Sequence, residues 1–221
     1  MQTIAACRAD QLSAVLAQCG LSLVLVGQDQ PIPGSFWGAP EAGIIGNRVY
    51  VRADTPVHSM AHEACHLICA RSRTHPPIHT DAGGSDLEEC AVCVLQILLA
   101  DLLPGCSRQR MMRDMDAWGY SFRLGSTQAW FEHDAADAHQ WLVDRGLVIA
   151  DCHRTSSLDE SGQTERSGEA FMSAVHPELP QTPARWNPGT GPRDCLLSPQ
   201  HQVARIHSPE PQRGAIQTTS G

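Results

Sequence analysis

Apolar residues recur at helical spacing near the start of the chain, where Leu12, Val15, Leu16 and Cys19 form one stripe. Asp10 stands where it can cap this helix, and Gly20 occupies the place favoured for a C-terminal cap. A short apolar run at 21–26 reads as a buried strand. The stretch 30–43 is rich in Pro and Gly and reads as a loop, after which Ile44, Ile45 and 49–52 give two short strands around a Gly46-Asn47 turn, a hairpin signal. Thr55 followed by Pro56 is a helix start, with a hydroxyl able to cap and proline at the first helical position, where no amide is needed. That helix should run to about Arg71. Two adjacent prolines and a Gly pair make 74–84 a loop. A second long helix begins at Ser85 or Asp86, because Ser85 to Glu88 and Asp86 to Glu89 both fit the capping-box spacing, and Pro104-Gly105 stops it. A third helix fits 108–118 with Met111, Met112 and Met115 as core. Residues 120–124 are strand or loop, and a last helix or helix pair fits 127–145, stopped by Gly146.

The pattern changes near Asp151. Residues 152–221 hold eight of the fifteen prolines, many Ser, Thr, Gln and Gly, and no apolar period of 2 or 3.6, so they bury too little to offset their ordering entropy. The expectation is a folded domain over 1–151 and a disordered tail over 152–221, in which His153, His176, His201 and His207 are scattered and solvated. All sixteen basic residues are arginine, and 17 acids face 10 arginines before residue 152, a balance that argues against nucleic acid as a partner. The longest apolar segment, 92–103, is broken by Gln96 and Asp101, so no membrane span is expected. The N-terminal residues carry Arg8 and Asp10 where a secretory leader would be apolar, which points to a cytoplasmic protein, and the nine cysteines are then expected as reduced thiols.

One segment carries chemistry. Ala61-His62-Glu63-Ala64-Cys65-His66-Leu67 places two histidines four residues apart on an expected helix, so both imidazoles project from one face toward a shared point. Glu63, next to the first histidine, leans to the side of an ion held there and can take a proton from water without binding the ion itself. A rival metal site consists of Cys65, Cys69, Cys90 and Cys93 on the two long helices. On a helical wheel Cys65 and Cys69 only border the histidine face, which favours thiols packed between helices. His58 lies one turn before His62 on the same face and could be a pocket wall or a further ligand, with ordinary packing or exposure as the simpler reading.

With these residues the chain resembles the HExxH metallopeptidases of the gluzincin kind, and most nearly the minimal bacterial ImmA/IrrE-type domains. The resemblance rests on His62, Glu63 and His66 and on Glu88-Glu89-Cys90-Ala91 opening a helix that ends near Pro104, and it covers roughly 43–105. It implies zinc held by His62, His66 and Glu88, with Glu89 as the fallback third ligand; Glu88 could instead close a capping box with Ser85. It also implies an α+β, zincin-like fold in which a small, mainly antiparallel sheet from 21–52 packs on the metal helix. The expected activity is hydrolysis of a peptide bond in a peptide or protein substrate by a zinc-activated water, with Glu63 as general base. In the loop between the ligand helices, Asp81 could orient a ligand histidine and His79 could donate to a developing oxyanion, with Tyr120 and Arg123 as further candidates for these duties. An exposed strand edge near 49–52 could bind the substrate by strand addition. Two other functions remain open: a zinc-containing regulatory or binding module, and a structural zinc held by cysteines.

Overall fold

The computed structural model describes residues 1–71, 78–82 and 84–149, so the tail expected over 152–221 lies outside the described residues. The described chain is α+β. It forms α1 (Ala9–Gln18), β1 (Ser22–Leu25), β2 (Gly43–Ile45), β3 (Arg48–Val51), α2 (Val57–Ala70), α3 (Asp86–Leu99), α4 (Arg108–Trp118), α5 (Thr127–His133) and α6 (Ala136–Asp144). No helix among the described residues is long and apolar enough to cross a membrane.

The sheet is mixed, not mainly antiparallel. Its order is β1-β3-β2, with β2 and β3 paired as the expected hairpin and β1 parallel to β3. The loop between β1 and β2 is long enough to carry the chain across, so β3 comes back beside β1 in the same direction. This also removes the expected docking edge, because β3 is the middle strand. The outer side of β2 is occupied too: Gly46 N donates to Ile78 O at 2.7 Å and Thr80 N to Ile44 O at 3.0 Å.

The loop before β2 is fixed against that strand by close backbone approach. Ile44 N donates to Gly34 O at 3.1 Å. A Cβ on Gly43 would fall 2.3 Å from Pro33 O and Ser35 N, so only glycine permits this approach. A second tie, Ala42 N donating to Ser59 Oγ at 2.9 Å, fastens the loop's end to α2. Phe36, Trp37 and Glu41 are thereby held beside α2.

Helix starts differ in detail from the sequence reading. Asp10 does not cap α1: its carboxylate accepts from Arg8 at 2.7 Å, and the N-cap residue is Arg8. Pro56 is the N-cap of α2, with extended backbone, because Thr55 Oγ1 accepts from Arg52 N at 2.9 Å and so closes the turn before the helix. Ser85 does cap α3, accepting from Glu88 N at 3.3 Å.

Helix α2 is the centre of the molecule. Every one of its residues except Glu63 is buried, and it packs on β2, β3, α3 and α4. In β3 the alternation of the strand turns Val49 and Val51 into the core and leaves Arg48 exposed. Helix α3 is covered by α2 on one side and by α6 and α4 elsewhere. Met111, Met112 and Met115 of α4 are buried as expected.

Candidate metal centre

The i, i+4 spacing on α2 sets His62 and His66 edge to face, with their Nε2 atoms 3.1 Å apart. Glu89, in the first turn of α3, brings Oε2 to 3.5 Å from His66 Nε2 and 4.0 Å from His62 Nε2. Among the described residues these three are the group of His, Cys, Asp and Glu side chains arranged to hold a metal ion, their ligand atoms all lying within 4.8 Å of one another. A tetrahedral ion with bonds near 2.0–2.1 Å separates its ligand atoms by roughly 3.3 Å, so the spacing suits a small ion with little movement.

The third member is thus Glu89, the fallback, and not Glu88. Positions 89, 93 and 96 share one stripe of α3, whereas 88, 92, 95 and 99 share another, and Val92, Leu95 and Leu99 of that second stripe are core residues. Glu88 is itself buried and lies back against Gly84, where a Cβ would meet its carboxylate carbon at 3.3 Å.

Gln96, unassigned in the sequence reading, orients the first histidine. Its Nε2 donates to the His58 carbonyl at 2.9 Å, which fixes the direction of the amide and leaves Oε1 facing His62 Nδ1 at 3.1 Å. His62 therefore carries its proton on Nδ1, donates it to Gln96, and presents a bare Nε2 lone pair to the shared point. Burial lowers the His62 pKa to about 4, with Gln96 acting in the opposite direction, so the ring is neutral near pH 7, the form that binds metal. The signal for Gln96 in the sequence was a lone amide in an apolar helix, seven residues after Glu89.

Glu63 lines the same cavity. Its carboxyl is pushed up to about 8, first by burial and then by the charges of Glu41, Glu89 and Asp81. The cavity has a volume of about 250 Å³, with Glu41, His58, His62, Glu63, His66, Asp81 and Glu89 among its polar lining and Phe36, Trp37, Trp118 and Tyr120 as its aromatic wall. His58 is buried between Trp118 and Tyr120, outside the metal group, and both its ring nitrogens lack a hydrogen-bond partner among the described residues.

The remaining candidates separate by position. Asp81 lines the cavity, but the His62 Nδ1 proton goes to Gln96. His79 is exposed and outside the lining, since its backbone bridges Ile45 at the sheet edge and its Nδ1 meets Thr80 Oγ1 at 2.7 Å. Tyr120 lies in the wall, its ring edge-on to His62. Arg123 is engaged with Asp134 away from the site. Cys65 and Cys93 are buried, and burial first and neighbouring thiols next push them well above the usual thiol value, so they remain protonated. No cysteine belongs to the metal-holding group among the described residues. Compared with known proteins, the chain matches no family model, no curated protein and no solved structure.

Proposed function

We propose that the protein is a zinc-dependent hydrolase, a metallopeptidase of the HExxH kind, with His62, His66 and Glu89 as ligands and Glu63 as the acid–base residue. The observation that carries this reading is the convergence of two buried imidazoles and one carboxylate beside a second, unligated carboxylate in a cavity. A set of two nitrogens and one oxygen leaves a corner for water or substrate, the pattern of catalytic rather than structural zinc. When bound, the ion would polarise a carbonyl and acidify water.

The protein's own groups would do the rest. Glu63 accepts a proton from the attacking water and passes it to the leaving amine, a task suited to a carboxyl whose affinity for protons lies near neutrality. A bound dication draws that value downward, which favours the base form at the start of the cycle. Gln96 keeps the His62 lone pair aimed at the ion.

The test is Glu63→Gln, assayed on a library of internally quenched peptides with the zinc content measured in parallel. Zinc-dependent cleavage should fall by about 10² to 10⁴-fold with zinc retained; undiminished cleavage would remove Glu63 from the mechanism. A wild-type protein that holds zinc and cleaves nothing in the library would fit a regulatory or binding module instead.

A further inference from the structure

Glu41 is a buried acid on the wall of the cavity, with a hydrogen bond from the Trp118 side chain. It comes from the loop before β2, is 8% exposed, lines the cavity, and its Oε1 has no hydrogen-bond partner among the described residues. A buried, unpaired carboxylate oxygen is costly, and such an atom is retained where a ligand completes it. Its neighbours are acidic side chains too: Glu63, Asp81 and Glu89 line the same cavity, and no arginine is among the described lining residues. Burial raises Glu41 to about 7, with a hydrogen bond from the Trp118 side chain acting in the opposite direction, and raises Glu63 to about 8, so a cation placed beside Glu41 would draw out its charge. Trp37 and Trp118 line the same cavity, Trp118 through a side chain that also hydrogen-bonds Glu41, and Phe36 packs edge-on to Trp37 at 5.0 Å. Phe36 and Trp37 are 59% and 58% exposed, so more than half of each side chain is open to a ligand. Carboxylates together with indole faces attract an organic cation, by charge and by the ring quadrupole.

Resting on the metallopeptidase reading, we infer that this cavity binds the ammonium group of a peptide, with Glu41 as its charge partner and Trp37 and Trp118 as its walls. Glu41 is tied to α2 through Ala42 and Ser59, so the ammonium would be held at a fixed place relative to the histidines on the same helix. A volume of about 250 Å³ has room for a residue or two, which suits recognition of a chain end or of one side chain. The ammonium can be the α-amino group of a peptide N-terminus or the side chain of lysine, and the two are separable by experiment.

The experiment is a binding titration on the zinc-treated full chain, read by quenching of tryptophan fluorescence, with three probes: Leu-Gly, N-acetyl-Leu-Gly and N-acetyl-lysine amide. At least one ammonium probe should bind tenfold or more tightly than N-acetyl-Leu-Gly, and which one does so identifies the source. Glu41→Gln, of nearly the same shape, should abolish the preference while the zinc content stays at the wild-type value. Trp37→Ala, at a position more than half exposed, should weaken the ammonium probes several-fold and more than it weakens the acetylated peptide. Equal binding of free and acetylated peptides, or a preference that survives Glu41→Gln, would overturn the inference. A Glu41-dependent preference in a chain that holds no zinc would uphold it and overturn the zinc reading instead.

Discussion

At the scale of single residues the site turns on two adjacent acids. Glu88 and Glu89 differ by one step of the helix, about 100 degrees, and this places one carboxylate against Gly84 and the other 3.5 Å from His66 Nε2. Glu89→Gln should therefore weaken zinc binding by tenfold or more in a chelator competition, whereas Glu88→Gln should keep it within about twofold. The opposite ranking would restore Glu88 as the ligand. The histidine pair and Glu63 were legible in the sequence because a four-residue spacing on a helix has one geometric meaning. The choice between the two acids was not, since it depends on how α3 is rotated against α2, and both acids fit a capping pattern. Glu41, Phe36 and Trp37 were illegible for another reason: they belong to a loop whose path is set by backbone contacts of Pro33, Gly34 and Ser35 with Gly43 and Ile44 of β2.

At the scale of elements, the contact between α2 and α3 does structural and chemical work together. Thiols fill part of it, Cys65 lying near Cys69, Cys19 and Cys93, and such small groups allow the helices to approach closely. Gln96 spans the same contact and joins both helices to the site, through the His58 carbonyl and the His62 ring. Gln96→Leu should lower zinc affinity by about 10 to 100-fold, as loss of a group that orients a metal-binding histidine does. Gln96→Glu, which can still accept from His62 Nδ1, should recover part of that loss. If the leucine variant holds zinc as tightly as the wild type, Gln96 is a packing residue only. In the sequence this residue read merely as a break in an apolar run. Strand order was hidden too, because a period of two reports which side of a strand is buried but not which neighbour it pairs with.

At the scale of the whole molecule, the fold buries a titratable ring that the site does not need as a ligand. His58 is 1% exposed, and burial first, with the neighbouring His62 next, lowers its pKa from 6.5 to about 3. Its folded value lies below its unfolded one, so the stability it contributes is fully present above about pH 6.5 and is lost as pH falls toward about 3. The metal-free protein should accordingly melt at steadily lower temperature across that window. In His58→Asn the dependence should be shallower by one proton taken up on unfolding, even though the lost ring packing lowers the melting temperature at every pH. An unchanged slope would mean that His58 is already solvated. The division into α+β layers, the helix order and the methionine core were readable from periodicity, because burial dictates them locally. The parallel pairing of β1 with β3 and the capture of the β2 edge by Ile78 and Thr80 arise from contacts between distant segments.

Zinc stoichiometry of the purified full-length chain, measured by elemental mass spectrometry after exhaustive dialysis against metal-free buffer, addresses the central claim most directly. One zinc per chain is expected for the wild type, with nearly none in His62→Ala or His66→Ala and full retention in Cys90→Ser/Cys93→Ser. A wild-type chain without stoichiometric metal, or a zinc that survives loss of the histidines and departs with the cysteines, would contradict it.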